Sequence, residues 1–272
     1  GCIVAELTED TDAALKIGAT TDDGKLTVAG ATLSVADLAE KWEATLEGVY
    51  PTHASEKPEE MPNMDYDRRL LTVVKNRVAR PKAVIPVFPG TNCEYDTANA
   101  CIRAGIAPES LVIRNLTTDL LNQSAQALEQ AISQAQMIVL PGGFSGGDEP
   151  EGSGKFIASF FRNPRIKDAV HEMLKQRDGL MLGICNGFQA LIKLGLVPYG
   201  EIRDMDDSCP TLTFNLIGRH QSRYCDIRVA SVLSPWMLKA QVGDVYTVPI
   251  SHGEGRFVAP QAILDEMIRN GQ

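Results

Sequence analysis

Scarcity narrows the chemistry of this 272-residue chain before any motif is read. No apolar stretch approaches the ~20 residues that a membrane-spanning helix needs. Six cysteines (Cys2, Cys93, Cys101, Cys185, Cys209 and Cys225) contain no CxxC pair and no zinc-ligand spacing, so no metal site is expected and reduced thiols in the cytoplasm fit best. Positive charge is in deficit: 26 Lys and Arg against 35 Asp and Glu leave a net charge of −9. That balance disfavours non-specific binding to nucleic acid or anionic membranes. Only four histidines exist, His53, His171, His220 and His252, so imidazole chemistry has few places to sit. What remains, with 44% hydrophobic residues, is enough to bury a sizeable core in one large or two small domains.

Against this background Gly183-Ile184-Cys185-Asn186-Gly187-Phe188-Gln189 stands out. Leu180, Met181, Leu182 and Ile184 read as a short buried strand, and Phe188, Leu191 and Ile192 recur at helix spacing. Gly195 stands where a helix C-terminal glycine belongs. A cysteine in such a strand-to-helix turn is pushed out at the sheet edge, at a helix N-terminus whose partial positive charge favours the thiolate. A nucleophile needs a base, and the base an orienting group. His252 and Glu254, in Ser251-His252-Gly253-Glu254-Gly255-Arg256, follow a clear strand from Val245 to Ile250. Their i, i+2 spacing puts both side chains on one side of an extended segment. The imidazole can then reach Cys185 while the carboxylate holds its far nitrogen. The other histidines read differently: His171 as a solvated or half-buried helix residue, His53 as linker, His220 as surface beside Arg219 and Arg223.

Another strand, Met137 to Leu140, ends in Pro141-Gly142-Gly143-Phe144-Ser145-Gly146-Gly147-Asp148. Paired glycines after a strand can present bare amides to a developing oxyanion, and the amide of Asn186 would complete the set. The loop lacks the Gly-Lys-Ser/Thr ending of a Walker A motif, which disfavours nucleotide binding there.

The Gly-x-Cys-x-Gly-x-Gln turn, the upstream Pro-Gly-Gly loop and the downstream His-x-Glu resemble a class I (triad-type) glutamine amidotransferase domain. The variants at Pro89-Gly90-Thr91-Asn92-Cys93, Pro141 to Ser145, Cys185 to Gln189 and Pro249 to Phe257 are similar to the glutaminase part of the phosphoribosylformylglycinamidine synthases. The resemblance covers roughly residues 81 to 260. It implies that Cys185 attacks the side-chain amide of glutamine, that His252 protonates the departing ammonia and that Glu254 orients His252. It further implies oxyanion amides at Gly143 and Asn186, substrate contact by Gln189, and passage of the ammonia to a synthetase region of the same polypeptide. The glutaminase domain itself needs no cofactor; ATP and magnesium belong to that synthetase region, which converts formylglycinamide ribonucleotide to its amidine. Asn92 and Cys93 shape the site rather than catalyse. Gly146 stands where many members carry tyrosine, and the acidic, glycine-rich Asp148 to Gly154 is longer than expected; both bear on loop conformation and coupling, not on the triad. Other readings are a triad amidotransferase feeding a different synthase, a partner-dependent domain inactive in isolation, and a cysteine hydrolase acting on another amide.

From 81 to 194 strands and helices alternate, which predicts an α/β fold: an open, mostly parallel sheet with helices on both faces. Strands are expected at Ala83–Phe88, Leu111–Ile113 and Met137–Leu140. Helices are expected over Tyr95–Ala104, from a cap at Ser124 to about Ala135, and after Asn163-Pro164 with Ile166, Val170 and Leu174 on one face. Residues 211 to 259 read as further, partly antiparallel strands. A small α+β segment precedes this domain. It has strands at Cys2–Leu7 and Lys25–Ala29, then a helix opened by the capping box Ser34-Val35-Ala36-Asp37 and striped by Leu38, Trp42 and Leu46. The domain reading is thus a synthetase remnant over 1–55, a linker over 56–80 with a short helix near Arg68–Arg80, and the glutaminase domain over 81–272. The start at Gly1, directly in an apolar run, suggests a fragment of a longer polypeptide.

Overall fold

The computed structural model describes residues 2–56, 63–70, 78–147 and 154–272. These fall into two compact units, Gly1–Lys57 and Pro58–Gln272.

In the first unit β1 (Lys25–Val28) and β2 (Ala31–Ser34) form an antiparallel hairpin leading into α1 (Val35–Ala44). The capping box behaves as its chemistry dictates: the Ser34 side chain accepts the Asp37 amide at 3.2 Å. Two expectations fail here. Cys2 to Leu7 is irregular rather than a strand; no partner strand pairs with it among the described residues, and Ile3 is 96% exposed. The Leu38, Trp42 and Leu46 stripe is uncovered, with Trp42 78% exposed, and the apolar side of the hairpin, with Leu26 paired to Leu33, is exposed as well.

In the second unit β3 (Lys82–Val87), α2 (Glu94–Arg103), β4 (Ala107–Val112), α3 (Thr118–Gln134) and β5 (Met137–Leu140) are followed by α4 (Lys155–Phe161), α5 (Pro164–Lys175), β6 (Leu180–Gly183) and α6 (Asn186–Leu194). The strands form one parallel sheet in the order β4-β3-β5-β6. The period of two along each strand divides the core. Val84, Ile138 and Leu140 face a cluster with Leu128 and Ile132 of α3, Phe161 of α4, Ile166 and Val170 of α5 and Leu194 of α6. Ala83, Ile85 and Val139 face the other way, onto Cys101 of α2. Helices therefore cover both faces, as predicted. Each fully buried Leu, Ile or Phe in such a core contributes about 1.5–3 kcal/mol.

The structure moves one helix start and adds a helix. Helix α3 begins at Thr118, capped by Thr117, whose hydroxyl accepts the Leu120 amide at 3.2 Å. Ser124 is not a cap; it is buried in mid-helix, with Oγ donating to Leu120 O at 2.8 Å and accepting the Arg114 amide at 3.0 Å. A back-bonded serine of this kind satisfies itself inside a helix, so cap chemistry alone misplaces it. Helix α4, by contrast, has no side-chain cap to announce it. Helix α5 does start as expected: Asn163 Oδ1 accepts the Arg165 amide at 3.1 Å, ahead of Pro164.

A short turn α7 (Leu196–Tyr199) leads to β7 (Thr211–Thr213), β8 (Gln221–Arg228), β9 (Val245–His252), β10 (Arg256–Val258) and α8 (Gln261–Asn270). Strands β8 and β9 pair antiparallel over their full length, and β7 pairs with β10. Residues read as linker are partly pinned to this region. Tyr66 N–H donates to Ala230 O at 2.8 Å, Asp65 meets Arg228 at 2.7 Å, and the Arg69 guanidinium donates to the carbonyls of Met237, Leu238 and Ala240. The helix expected near Arg68–Arg80 lies largely outside the described residues.

His171, half-buried on α5 as expected, accepts the Ile202 amide through Nε2 at 2.8 Å. Burial, with the Lys175 and Lys167 ammonium groups, holds its pKa below the ordinary histidine range. The unfolded chain therefore takes up that proton more readily. The stability this histidine contributes is complete above the unfolded value of about 6.5 and is lost as pH falls through the lower folded value. Thermal melts between about pH 8 and pH 5 are expected to show a fall on the acid side. His171→Gln keeps an acceptor without a titration and should reduce that fall; an identical acid-side slope in the variant would remove His171 as its source.

Candidate active site

Three parallel strands deliver the site's loops to one edge. Phe88–Cys93 follows β3, Pro141–Gly147 follows β5, and Ile184–Cys185 follows β6. The carboxyl ends of parallel strands are where open α/β sheets hold their ligands.

Cys185 occupies the turn between β6 and α6 with φ 51° and ψ −110°. A non-glycine residue at positive φ is strained, and here the strain lifts the side chain out of the sheet: Cys185 is exposed while Asn186 and Gly187 beside it are buried. Its thiol lies at the N-terminus of α6, where the unsatisfied amides and the helix dipole favour a thiolate. Sγ also stands 3.9 Å from the carbonyl oxygen of Ser251, the residue before His252. The fold thus brings together two segments separated by 66 positions.

The loops after β3 and β5 interlock. The Phe144 amide donates to Gly90 O at 2.8 Å, and the Gly146 amide to Pro89 O at 3.0 Å. Gly143, at φ 136°, approaches so closely that a Cβ there would stand 2.6 Å from Gly90 O, so only glycine holds this backbone. A side chain at Gly142 would stand 3.4 Å from Cys185 Cβ and 3.6 Å from Cys93 Sγ; the two cysteines flank that glycine. Burial, Asp96 and Cys185 push the Cys93 thiol up, and its Sγ donates to Asn92 Oδ1 at 3.2 Å.

Behind these loops runs a relay of buried amides. The Ser145 N–H donates to Asn186 Oδ1 at 3.2 Å, Asn186 Nδ2 to Gln189 Oε1 at 3.1 Å, and Gln189 Nε2 to the Glu254 carbonyl at 2.9 Å. The relay ties the loop after β5 and the start of α6 to the segment after β9. The Gln189 side chain is 6% exposed, with both ends of its amide engaged by the protein.

His252 ends β9 and Glu254, 8% exposed, follows in a turn. The far nitrogen of the imidazole, which the His-x-Glu spacing assigns to the Glu254 carboxylate, is held by Asn215 at 2.9 Å from Nδ1. The strand stops at His252 and bends at Gly253. The Glu254 carboxylate acts on the Lys193 ammonium, opposing the burial that pushes that pKa down. Burial and the nearby His220 push His252 below its ordinary range. His220 was read as surface; it is exposed, yet its Nε2 lies 2.9 Å from the hydroxyl of Ser251. Antiparallel pairing of β8 with β9 puts it there, one residue beyond the β8 start at Gln221. Asn215 carried no signal in the sequence: it lies in a turn after β7, 37 positions from His252. Among the described residues no group of three or more His, Cys, Asp or Glu is gathered as metal ligands, and no helix is long and apolar enough to cross a membrane.

Comparison with known proteins gives the family. A profile of the CobB/CobQ-like glutamine amidotransferase domain matches residues 80–272. The phosphoribosylformylglycinamidine synthase subunit PurQ of Aquifex aeolicus is 34% identical over 194 residues, covering 70% of this chain and 71% of the relative. The PurQ subunit of a Nostoc species is 35% identical over 194 residues, covering 69% and 70%. Among solved structures, "Structure of PurLQS from Thermotoga maritima" aligns at 27% identity with a TM-score of 0.49, over 67% of this chain and 71% of that one. The chain belongs to the glutamine amidotransferase family. Its second unit is a PurQ-like domain of that family.

Proposed function

We propose that the second unit hydrolyses glutamine at Cys185 and supplies the ammonia for the ATP-dependent conversion of formylglycinamide ribonucleotide to formylglycinamidine ribonucleotide. The observation that carries the reading is Cys185 itself: strained at positive φ, exposed at the head of α6, with its thiol 3.9 Å from the carbonyl of Ser251 beside His252. In this scheme the Cys185 thiolate attacks the side-chain amide carbon of glutamine. The amides of Gly143 and Asn186 receive the negative charge that develops on the carbonyl oxygen. The C–N bond breaks as His252 gives its proton to the nitrogen, which leaves as ammonia. Water then attacks the thioester, His252 takes up the water's proton, and glutamate leaves as the thiolate is restored. Glu254 orients His252, and Gln189 helps hold the substrate, while the side-chain amides of Gln189 and Asn186 tie the loops of the site together.

The glutaminase step needs no cofactor. ATP and magnesium act in a synthetase component, a partner of this domain, and the first unit is a remnant of such a region joined to the glutaminase by a linker. The conditions that suit these thiols are cytoplasmic.

Labelling with a diazo-ketone analogue of glutamine, followed by peptide mapping, tests the reading. Modification at Cys185 that excess glutamine blocks is the expected result. A folded protein, assembled with the synthetase component and its nucleotide substrates, that leaves Cys185 unmodified would overturn it.

A further inference from the structure

Two cysteines head helices at the same edge of the sheet. Cys185 is the N-cap of α6 and Cys93 the N-cap of α2, and neither side chain caps its helix by a hydrogen bond. Distant in sequence, they meet across Gly142. A Cβ on that glycine would stand 3.4 Å from Cys185 Cβ and 3.6 Å from Cys93 Sγ, the nearest atoms of other segments. Cys93 Sγ and Cys185 Cβ are therefore no more than about 7 Å apart, and rotation of the thiols with a loop shift of a few ångströms at most brings them to the geometry of a disulfide. Both are held in place by backbone. The Asn92 amide donates to Gly142 O at 3.5 Å and Thr91 bridges Gly143, which sets Cys93 beside that glycine. The Ile184 amide donates to Leu140 O at 3.0 Å, which sets Cys185 on its other side. Cys185 is exposed and Cys93 half-buried.

We propose that Cys185 and Cys93 form a peroxide-responsive thiol pair, in which Cys185 takes the oxidant and Cys93 resolves the product as a disulfide. The Cys185 thiolate attacks one oxygen of hydrogen peroxide. The O–O bond breaks, Cys185 becomes a sulfenic acid, and hydroxide leaves and is protonated to water. The Cys93 sulfur then attacks the Cys185 sulfur. The S–O bond breaks, the S–S bond forms, and the hydroxyl leaves as water with the Cys93 proton. The two sulfurs give up two electrons in all, and the peroxide accepts both. The environment of each thiol assigns its part. An exposed cysteine at a helix N-terminus, with a second thiol beside it, is the usual setting of a reversible redox cysteine. Cys93 is kept as the thiol by burial, Asp96, Cys185 and Glu94, so it does not react first. Oxidation of Cys185 to the neutral sulfenic acid removes one of those charges, and Cys93 ionises more readily once the electrophile stands next to it. The disulfide leaves no thiolate to attack glutamine. On the glutaminase reading, oxidation therefore halts the ammonia supply and reduction restores it, as a transient disulfide does in a reducing compartment.

The inference rests on the glutaminase reading for its consequence, but its test reads sulfur chemistry and uses no glutamine. The reduced 272-residue chain is treated with excess hydrogen peroxide, its remaining thiols are blocked with N-ethylmaleimide, and it is digested with trypsin. The expected product joins the peptide of residues 83–103 to that of residues 178–193 and disappears on treatment with dithiothreitol. Fragmentation of the linked pair should place the bond at Cys93 rather than Cys101, which lies in the same peptide. In Cys93→Ser the link should be lost, and Cys185 should pass instead to the sulfinic acid, which dithiothreitol does not reduce. Cys93→Ala repeats the comparison without a hydroxyl. The unsubstituted chain decides without either variant: a Cys185 that stays a thiol, that reaches the sulfinic acid without a link, or that links to a different cysteine overturns the proposal. Equal conversion of Cys185 to the sulfinic acid with and without the Cys93 thiol overturns it as well. A glutaminase reading that failed would instead show as absent labelling of the reduced protein by the diazo-ketone.

Discussion

Cys185→Ala is expected to lower glutamine-dependent synthesis by at least about a thousandfold, because removing a covalent nucleophile leaves only binding and oxyanion stabilisation. The measurement is glutamate release and amidine formation by the domain assembled with its synthetase component. Ammonia supplied from solution bypasses the cysteine, so synthesis at high ammonium should stay near the unsubstituted level. The variant should also fold normally. The side chain is exposed, and alanine relieves none of the backbone strain at φ 51° but adds no bulk either. Loss of the ammonia-dependent rate along with the glutamine-dependent one would instead make Cys185 a residue of the interface or the fold. Cys93, the neighbouring thiol, is a poor replacement in this variant: burial and the Asp96 carboxylate still push its thiol up, and the thiol form is a poor nucleophile.

The parallel sheet was legible because β3, β5 and β6 are short apolar runs bounded by turns, and because buried parallel strands need no alternation to be read; β4 carries Glu109 and Ser110, and the apolar run at Leu111–Ile113 marks only its end. Met137–Leu140 and the turn at Cys185 appear where the residues place them. The remaining parts of the site were hidden for different reasons. Ser124 has cap chemistry but a mid-helix position, which only its bonds to Leu120 and Arg114 explain. Asn215 and His220 reach His252 and Ser251 through pairing of distant strands, information that no local spacing contains. In the first unit, the stripe of Leu38, Trp42 and Leu46 is real as a pattern but is not packed against the apolar side of the hairpin, which is exposed too. Periodicity states what a helix could bury, not whether something is there to receive it.

Gly187→Ala is expected to be a strongly damaging single-methyl change in the site. Gly187 lies in the first turn of α6, and a Cβ there would stand 2.2 Å from Leu140 O and 2.7 Å from Leu140 C. Both sides of this contact are backbone: α6 on one, the end of β5 on the other. No side chain can rotate away, so the helix must lift off the sheet. Overpacking of this kind costs about 1–3 kcal/mol, and a rigid backbone contact belongs at the upper end. For a unit of this size that corresponds to a fall of roughly 6–12 °C in Tm at about 3 kcal/mol. The same displacement reaches the chemistry. The Gly187 amide donates to Ile184 O at 2.9 Å and the Ile184 amide to Leu140 O at 3.0 Å, so Cys185 is held between the two elements being forced apart. A shift near 1 Å in a reacting group costs about a hundredfold. Labelling of Cys185 by the diazo-ketone should therefore slow by that order even at temperatures where the variant is folded. Gly253→Ala is the control for stability: a Cβ there meets nothing within 4 Å, and its Tm should move little. Equal melting of the two variants, with equal labelling of Cys185, would mean that α6 can move freely against β5, and that the close approach of helix to strand is not what holds the nucleophile in place.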